Sequence, residues 1–151
     1  MKKILFFCLS FSYVAFSQNF IQTYADVANQ TSQSNITAHL TEFENLGIKR
    51  RGTVALENTY NWLRNEYLSY GYSVGQLQED TFMNGGFTCK NLIVTKVGTV
   101  YPNTYVIICG HYDSIIGTGT NDNGSGTVSI LEVARLLQNI NTEYSIKFIH
   151  F

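Results

Sequence analysis

The succession of strand, glycine-rich loop, helix and strand over residues 105–151 constrains this chain more than any other feature. Tyr105-Val106-Ile107-Ile108-Cys109 is an unbroken apolar run, the pattern of a strand buried on both faces of a sheet. A polar loop follows, Ser114 to Gly126, and then a helix pattern from about Ser125 to Gln138, apolar on most sides. Tyr144 to Phe151 reads as a second strand. Together these make a βαβ unit, which predicts parallel neighbouring strands joined by a right-handed crossover. The fold class is therefore α/β.

The upstream half adds two helices and a hairpin. Ile36, Leu40, Phe43 and Leu46 recur at helical spacing, with Ser34 or Asn35 as candidate caps and Gly47 as a stop. Leu56, Tyr60, Leu63 and Tyr67 form one stripe of a second helix, and Gly71 stands where a left-handed C-terminal cap belongs. Between the helices, Lys49-Arg50-Arg51 reads as a solvated basic turn rather than a substrate clamp. Tyr72 to Phe82 and Phe87 to Val97 are strand candidates around an Asn84-Gly85-Gly86 turn.

Residues 1–17 read as a signal peptide. Lys2 and Lys3 supply the positive region, Ile4 to Phe16 the apolar stretch, and Ala15 and Ser17 the small residues before a cleavage site at Gln18. The mature protein is thus expected to be exported, periplasmic or secreted, with no membrane span. Residues 18–33 form a polar lead-in, and 34–151 belong to one domain. Losing two lysines leaves 8 basic against 11 acidic residues, net −3, with no basic stripe, so nucleic-acid binding is not expected. Export would permit a bridge between Cys89 and Cys109; two buried free thiols on separate strands are the equal alternative.

Chemistry concentrates beyond the carboxyl end of the apolar strand, where open α/β sheets bind ligands. His111 and Asp113 are two apart, so an extended backbone sends both side chains to one side. An imidazole that binds metal through one nitrogen needs its other N–H held by an acceptor, and Asp113 is placed to be that acceptor. Asp122 lies in Thr120-Asn121-Asp122-Asn123-Gly124-Ser125-Gly126 at the next helix's N-terminus. There backbone N–H groups and the helix dipole suit a carboxylate. The same loop lacks the third glycine of a dinucleotide fingerprint and the Gly-Lys of a phosphate loop. It also lacks the glutamate that a calcium loop starting at Asp122 would need at Val133.

His111-Tyr112-Asp113-Ser114, then GTGTNDNGSG, then the helix with Glu132 and the strand SIKFIHF together resemble the zinc-dependent exopeptidases of the bacterial leucyl aminopeptidase type. Gly52-Thr53, Gly71-Tyr72 and Lys90-Asn91-Leu92-Ile93-Val94 extend the resemblance over roughly Asn35 to Phe151. It implies a three-layer α/β/α sandwich with a mixed, partly parallel sheet, and a site of two Zn2+ ions. His111 would bind one zinc, Asp122 would bridge both, Asp113 would orient His111, and the Asp122–Asn123 peptide would be cis. Substrates would be the N-termini of peptides or proteins; side-chain preference and oligomeric state stay open.

The family completes its site with a Glu–Glu pair, a further Asp and a distant His, which the resemblance places beyond Phe151. His39 and His150 are expected to be structural. The chain is therefore expected to be an N-terminal part of a zinc peptidase domain, truncated at the C-terminus. Alone it would be inactive, a poor binder of zinc, and left with its last strand as an open sheet edge. Two alternatives remain: a single-zinc enzyme like glutaminyl cyclase, and a non-catalytic binding module of peptidase ancestry.

Overall fold

Two polar side chains set the boundaries of the first long helices. In the computed structural model, which describes residues 20–151, Ser32 accepts the Asn35 N–H at 3.2 Å and so starts the helix Gln33–Asn45. The cap therefore lies two residues before the expected Ser34, because the Glu132 carboxylate takes the Ser32 N–H at 2.8 Å and holds it in place. Thr53 caps Val54–Ser69 in the same way through the Leu56 N–H. These helices are α2 and α3. A shorter one, α1 (Gln22–Ala28), precedes them within the expected lead-in and buries no residue. Residues 1–17, read from the sequence as a signal peptide, lie outside the described residues.

Strands β1 (Leu77–Asn84) and β2 (Phe87–Lys96) pair antiparallel, with Asn84 opposite Phe87. Only Gly85 and Gly86 connect them, both at positive φ, the two-residue hairpin loop that the Asn-Gly-Gly sequence predicts. Strand β3 (Tyr101–Gly110), helix α4 (Ser125–Leu137) and strand β4 (Tyr144–His150) complete the chain, and β3 and β4 are parallel. The sheet order is β1-β2-β4-β3, so the sheet is mixed.

The core lies between the helices and one face of this sheet. Phe43, Leu63, Tyr67, Leu92, Val94, Leu131 and Phe148 are all completely buried in one cluster. Their alternating neighbours Ile93, Thr95, Lys147 and Ile149 point to the other face and are half-buried. Among the described residues, helices cover one face only, two of the three layers that the resemblance implies.

Two expectations about strand burial are overturned by this arrangement. The apolar strand β3 is not buried on both faces: Tyr105, Val106 and Ile107 are 45%, 49% and 58% exposed. It runs along the edge of the described sheet, so among the described residues neither its outer flank nor its uncovered face has a neighbour. The last strand, β4, is not an edge strand, because it inserts between β2 and β3. Cys89 in β2 and Cys109 in β3 are both free, and β4 lies between their strands.

His150 is structural, as expected. It is completely buried, and its Nε2 lies 2.9 Å from the Tyr67 hydroxyl. Its Nδ1 has no partner among the described residues. Burial disfavours the imidazolium and lowers the group from its ordinary value to about 3. Between pH 6.5 and 3 the unfolded chain therefore binds a proton at this residue that the folded chain refuses. Unfolding free energy should fall on acidification below pH 6.5 by up to about 1.4 kcal/mol per pH unit from this group. Urea titrations at pH 7.0, 6.0 and 5.0 should show a shallower pH dependence for His150→Leu than for wild type.

Candidate metal centre

The βαβ geometry brings the end of β3 and the start of α4 to the same place. Pairing continues past the strands, since Tyr112 N–H donates to the Phe151 carbonyl and Phe151 N–H to the Gly110 carbonyl. This keeps residues 110–113 extended. Tyr112 turns inward, is 2% exposed, and donates its hydroxyl to the Lys90 carbonyl at 2.8 Å. Burial pushes its phenol well above the usual tyrosine range. His111 and Asp113, on either side of it, turn outward together, as their spacing predicts.

The His111 ring lies between two carboxylates. Nδ1 is 3.0 Å from Asp113 Oδ1, and Nε2 is 3.1 Å from Asp122 Oδ1. The His111 carbonyl accepts the Thr127 hydroxyl at 3.1 Å and the Asn123 amide at 3.4 Å, which ties β3 to the first turn of α4. Asp122 sits in a wide helical turn, Thr120–Gly124, where its own φ and ψ are non-helical and the Asp122–Asn123 peptide is cis. Its side chain is 90% exposed, whereas that of His111 is 44% exposed. All three site residues named from the sequence thus come together, with the roles expected of them sterically available.

The donor set suits a zinc ion. A ring hydrogen on Nδ1 satisfies Asp113 and leaves the Nε2 lone pair facing the Asp122 oxygen. Two acceptors at 3.1 Å repel unless a proton or cation lies between them. Nitrogen and oxygen ligands about 2.0–2.1 Å from a tetrahedral zinc stand about 3.3 Å apart, close to the separation seen. The fit stops at two ligands, since no other imidazole, thiolate or carboxylate among the described residues groups with them.

Other ionisable groups are engaged elsewhere. His39, Glu42 and Glu66 do cluster, but as a clamp between α2 and α3: His39 Nε2 meets Glu66 at 3.2 Å, and Glu42 accepts the Trp62 indole N–H. Glu132 is buried against Arg135 at 2.7 Å, and that guanidinium holds its carboxyl below the usual range. Beside Asp113 opens a cavity of about 320 Å³ lined by Arg50, Arg51, Phe82 and Tyr112.

One residue near the site contradicts its sequence reading. Lys49, expected in a solvated basic turn, is completely buried, whereas Arg51 remains on the surface with Asn84. The reason is that the Lys49 ammonium finds two backbone carbonyls and the Phe43 ring in place of water.

Comparison with known proteins accords with this geometry. Residues 91–151 match the model of Peptidase family M28. Aminopeptidase YwaD of Bacillus subtilis (strain 168) is 36% identical over 86 residues, which cover 54% of this chain and 19% of that protein. Among solved structures, LapB from Legionella pneumophila superposes with a TM-score of 0.73 at 17% identity, covering 85% of this chain and 37% of LapB. Fimbriiglobus ruber glutaminyl cyclase does so with a TM-score of 0.67 at 18% identity, covering 81% and 45%. The chain thus spans about a fifth of the curated relative and less than half of each solved neighbour. The βαβ unit that carries His111 and Asp122 thus lies within the segment that is similar to peptidase family M28.

Proposed function

We propose that this chain contributes His111 and Asp122 as ligands to the zinc centre of an exported aminopeptidase-type metallopeptidase. The centre holds two Zn2+ ions when complete. The observation that carries the reading is the 3.1 Å approach of His111 Nε2 to Asp122 Oδ1 at the end of a parallel strand, two acceptors once the ring hydrogen is placed on Nδ1 toward Asp113. A cation relieves their repulsion, and the family's peptidases are zinc-dependent. The signal-like residues 1–17 support export.

Each residue has a definable part. Asp113 accepts the Nδ1 hydrogen of His111, which fixes the tautomer and aims the Nε2 lone pair. Asp122 presents a second, free oxygen to solvent, which suits a carboxylate shared by two ions. Thr127 and Asn123 hold the His111 backbone so that the ring cannot swing away from Asp122. Bound zinc would acidify a water and polarise the scissile carbonyl. Residues 20–151 offer no free carboxylate near the pair to serve as general base. With these two ligands alone, this chain should not turn over substrate.

A single-zinc centre of the glutaminyl cyclase kind is the second reading, because a solved protein of that name shares the fold. The two differ in stoichiometry, two zincs against one in the complete enzyme.

Zinc titration of the 151-residue chain, followed through the ring resonances of its three histidines, tests the ligand assignment. His111 should respond first, and His111→Ala should abolish the response at site concentrations of zinc. A response confined to His39, or retained in His111→Ala, would overturn the assignment. Asp113→Asn should keep the fold and weaken zinc binding about 10- to 100-fold, the usual cost of losing an outer-shell acceptor. Competition with a chelator of known affinity measures that loss.

A further inference from the structure

The loop that presents Asp122 is tied down from below by a group that the zinc ligands do not touch. Lys49 Nζ donates to the Gly47 carbonyl at 2.8 Å and to the Thr118 carbonyl at 2.9 Å. It also sits 3.8 Å from the centre of the Phe43 ring. The main chain doubles this tie, since Lys49 N–H donates to Ser114 Oγ, and Ser114 N–H donates to the Lys49 carbonyl. Burying an ammonium is costly unless its donors are met and its charge is offset. Here two carbonyl dipoles and the ring face do both. The residual cost shows in the ammonium, which burial lowers to about 8.

From Thr118 the tie reaches Asp122 within four residues. Gly119 has φ +69, and a Cβ on it would stand 2.7 Å from Ser114 Cβ and 2.9 Å from the Asp122 carbonyl. The Gly119 carbonyl accepts the Gly124 N–H at 2.8 Å, which closes the turn around Asp122. Gly124 in turn lies against Phe43, leaving 2.7 Å between a Cβ and that ring. Lys49, Phe43, Gly119 and Gly124 thus form a closed circuit under Asp122. The Asp122 side chain is almost fully exposed, and its side-chain hydrogen bond among the described residues is to His111. Its position therefore depends on the backbone beneath it.

We propose that Lys49 is a positioning residue of the metal centre: by fixing Ser114 and Thr118 it holds the Asp122 carboxylate within ligating distance of His111. This inference rests on the reading of His111 and Asp122 as zinc ligands. A lysine that merely stabilised the fold would change overall stability and nothing else. A positioning lysine changes the loop and the metal affinity beyond what lost stability explains.

The test compares wild type, Lys49→Met and Leu63→Ala, the last being a core variant in α3. Amide hydrogen exchange is read at Gly124 and at Leu92, together with thermal midpoint and zinc affinity by chelator competition. In Lys49→Met, Gly124 exchange should accelerate at least about tenfold relative to Leu92, and zinc affinity should fall about tenfold, the lower range for losing a supporting contact. Leu63→Ala should lower the midpoint without either selective change. Equal acceleration at Gly124 and Leu92, or unchanged zinc affinity with unchanged Gly124 exchange, would overturn the proposal. Should Lys49→Met not fold, the wild-type ammonium decides: a slowly exchanging Nζ signal with contacts to the Phe43 ring supports the tie, and a solvent-like signal refutes it. Absence of any zinc response in wild type would sink the zinc reading, while Gly124 exchange would still report whether Lys49 holds the loop.

Discussion

The parallel pairing of β3 with β4 is the constraint on which the rest depends. Parallel neighbours cannot be joined by a tight turn, so the chain must leave β3, travel back along α4 and re-enter the sheet. That return forces the residues after β3 and those before α4 into one space at the carboxyl end of the strands. His111 and Asp122 are eleven residues apart, yet 3.1 Å apart in space for this topological reason. The register carries the effect to the last residue: Gly110 lies opposite His150, and the Phe151 N–H bonds the Gly110 carbonyl. A shift of one residue in that pairing would turn His111 into the core and Tyr112 out to solvent.

Within that space the chemistry is decided by unequal burial. Tyr112 is buried and hydrogen-bonded, so it serves as the anchor, while the two residues beside it remain accessible. His111 contacts one carboxylate through each nitrogen, but the carboxylates are not equivalent. Asp113 is half exposed, whereas Asp122 is 90% exposed and free on its second oxygen. The half-covered one suits orientation and the open one suits an ion shared with other ligands. Glu132, by contrast, spends its charge on Arg135 and the Ser32 N–H and stitches α4 to the start of α2. Two acids on one helix face and its approach thus have separate roles because one has a guanidinium within reach and the other does not.

Local rules made the site legible in the sequence. The alternation of a strand puts residues 111 and 113 on one side, and glycine punctuation marks both the hairpin at Gly85-Gly86 and the turn that carries Asp122. The helical stripe Tyr60, Leu63, Tyr67 is buried as its spacing requires. What the sequence hid was long-range. An apolar run reports that side chains avoid water somewhere, not which strand borders which, so β3 read as central although it runs along an edge. The capping of α2 at Ser32 depends on Glu132, one hundred residues away, and no window around Ser32 contains that information.

Lys49 shows the same limit in its sharpest form. Lys49, Arg50 and Arg51 are three consecutive cations, and composition treats them alike. Their fates differ because the turn after α2 points one of them at Phe43 and at a carbonyl 69 residues further on. An ammonium on a flexible stem can follow two carbonyls into a narrow space, where a planar guanidinium would need a wider fork of acceptors. Lys90 shows the alternative arrangement: it stays near the surface, and its hydrogen bond to Glu57 raises its ammonium above the ordinary range. The carboxylate partner keeps Lys90 at the rim as a conventional ion pair. Lys49, hydrogen-bonded to two carbonyls and set against a ring, with the Glu44 charge acting on it from further off, is held where the loop carrying Asp122 turns.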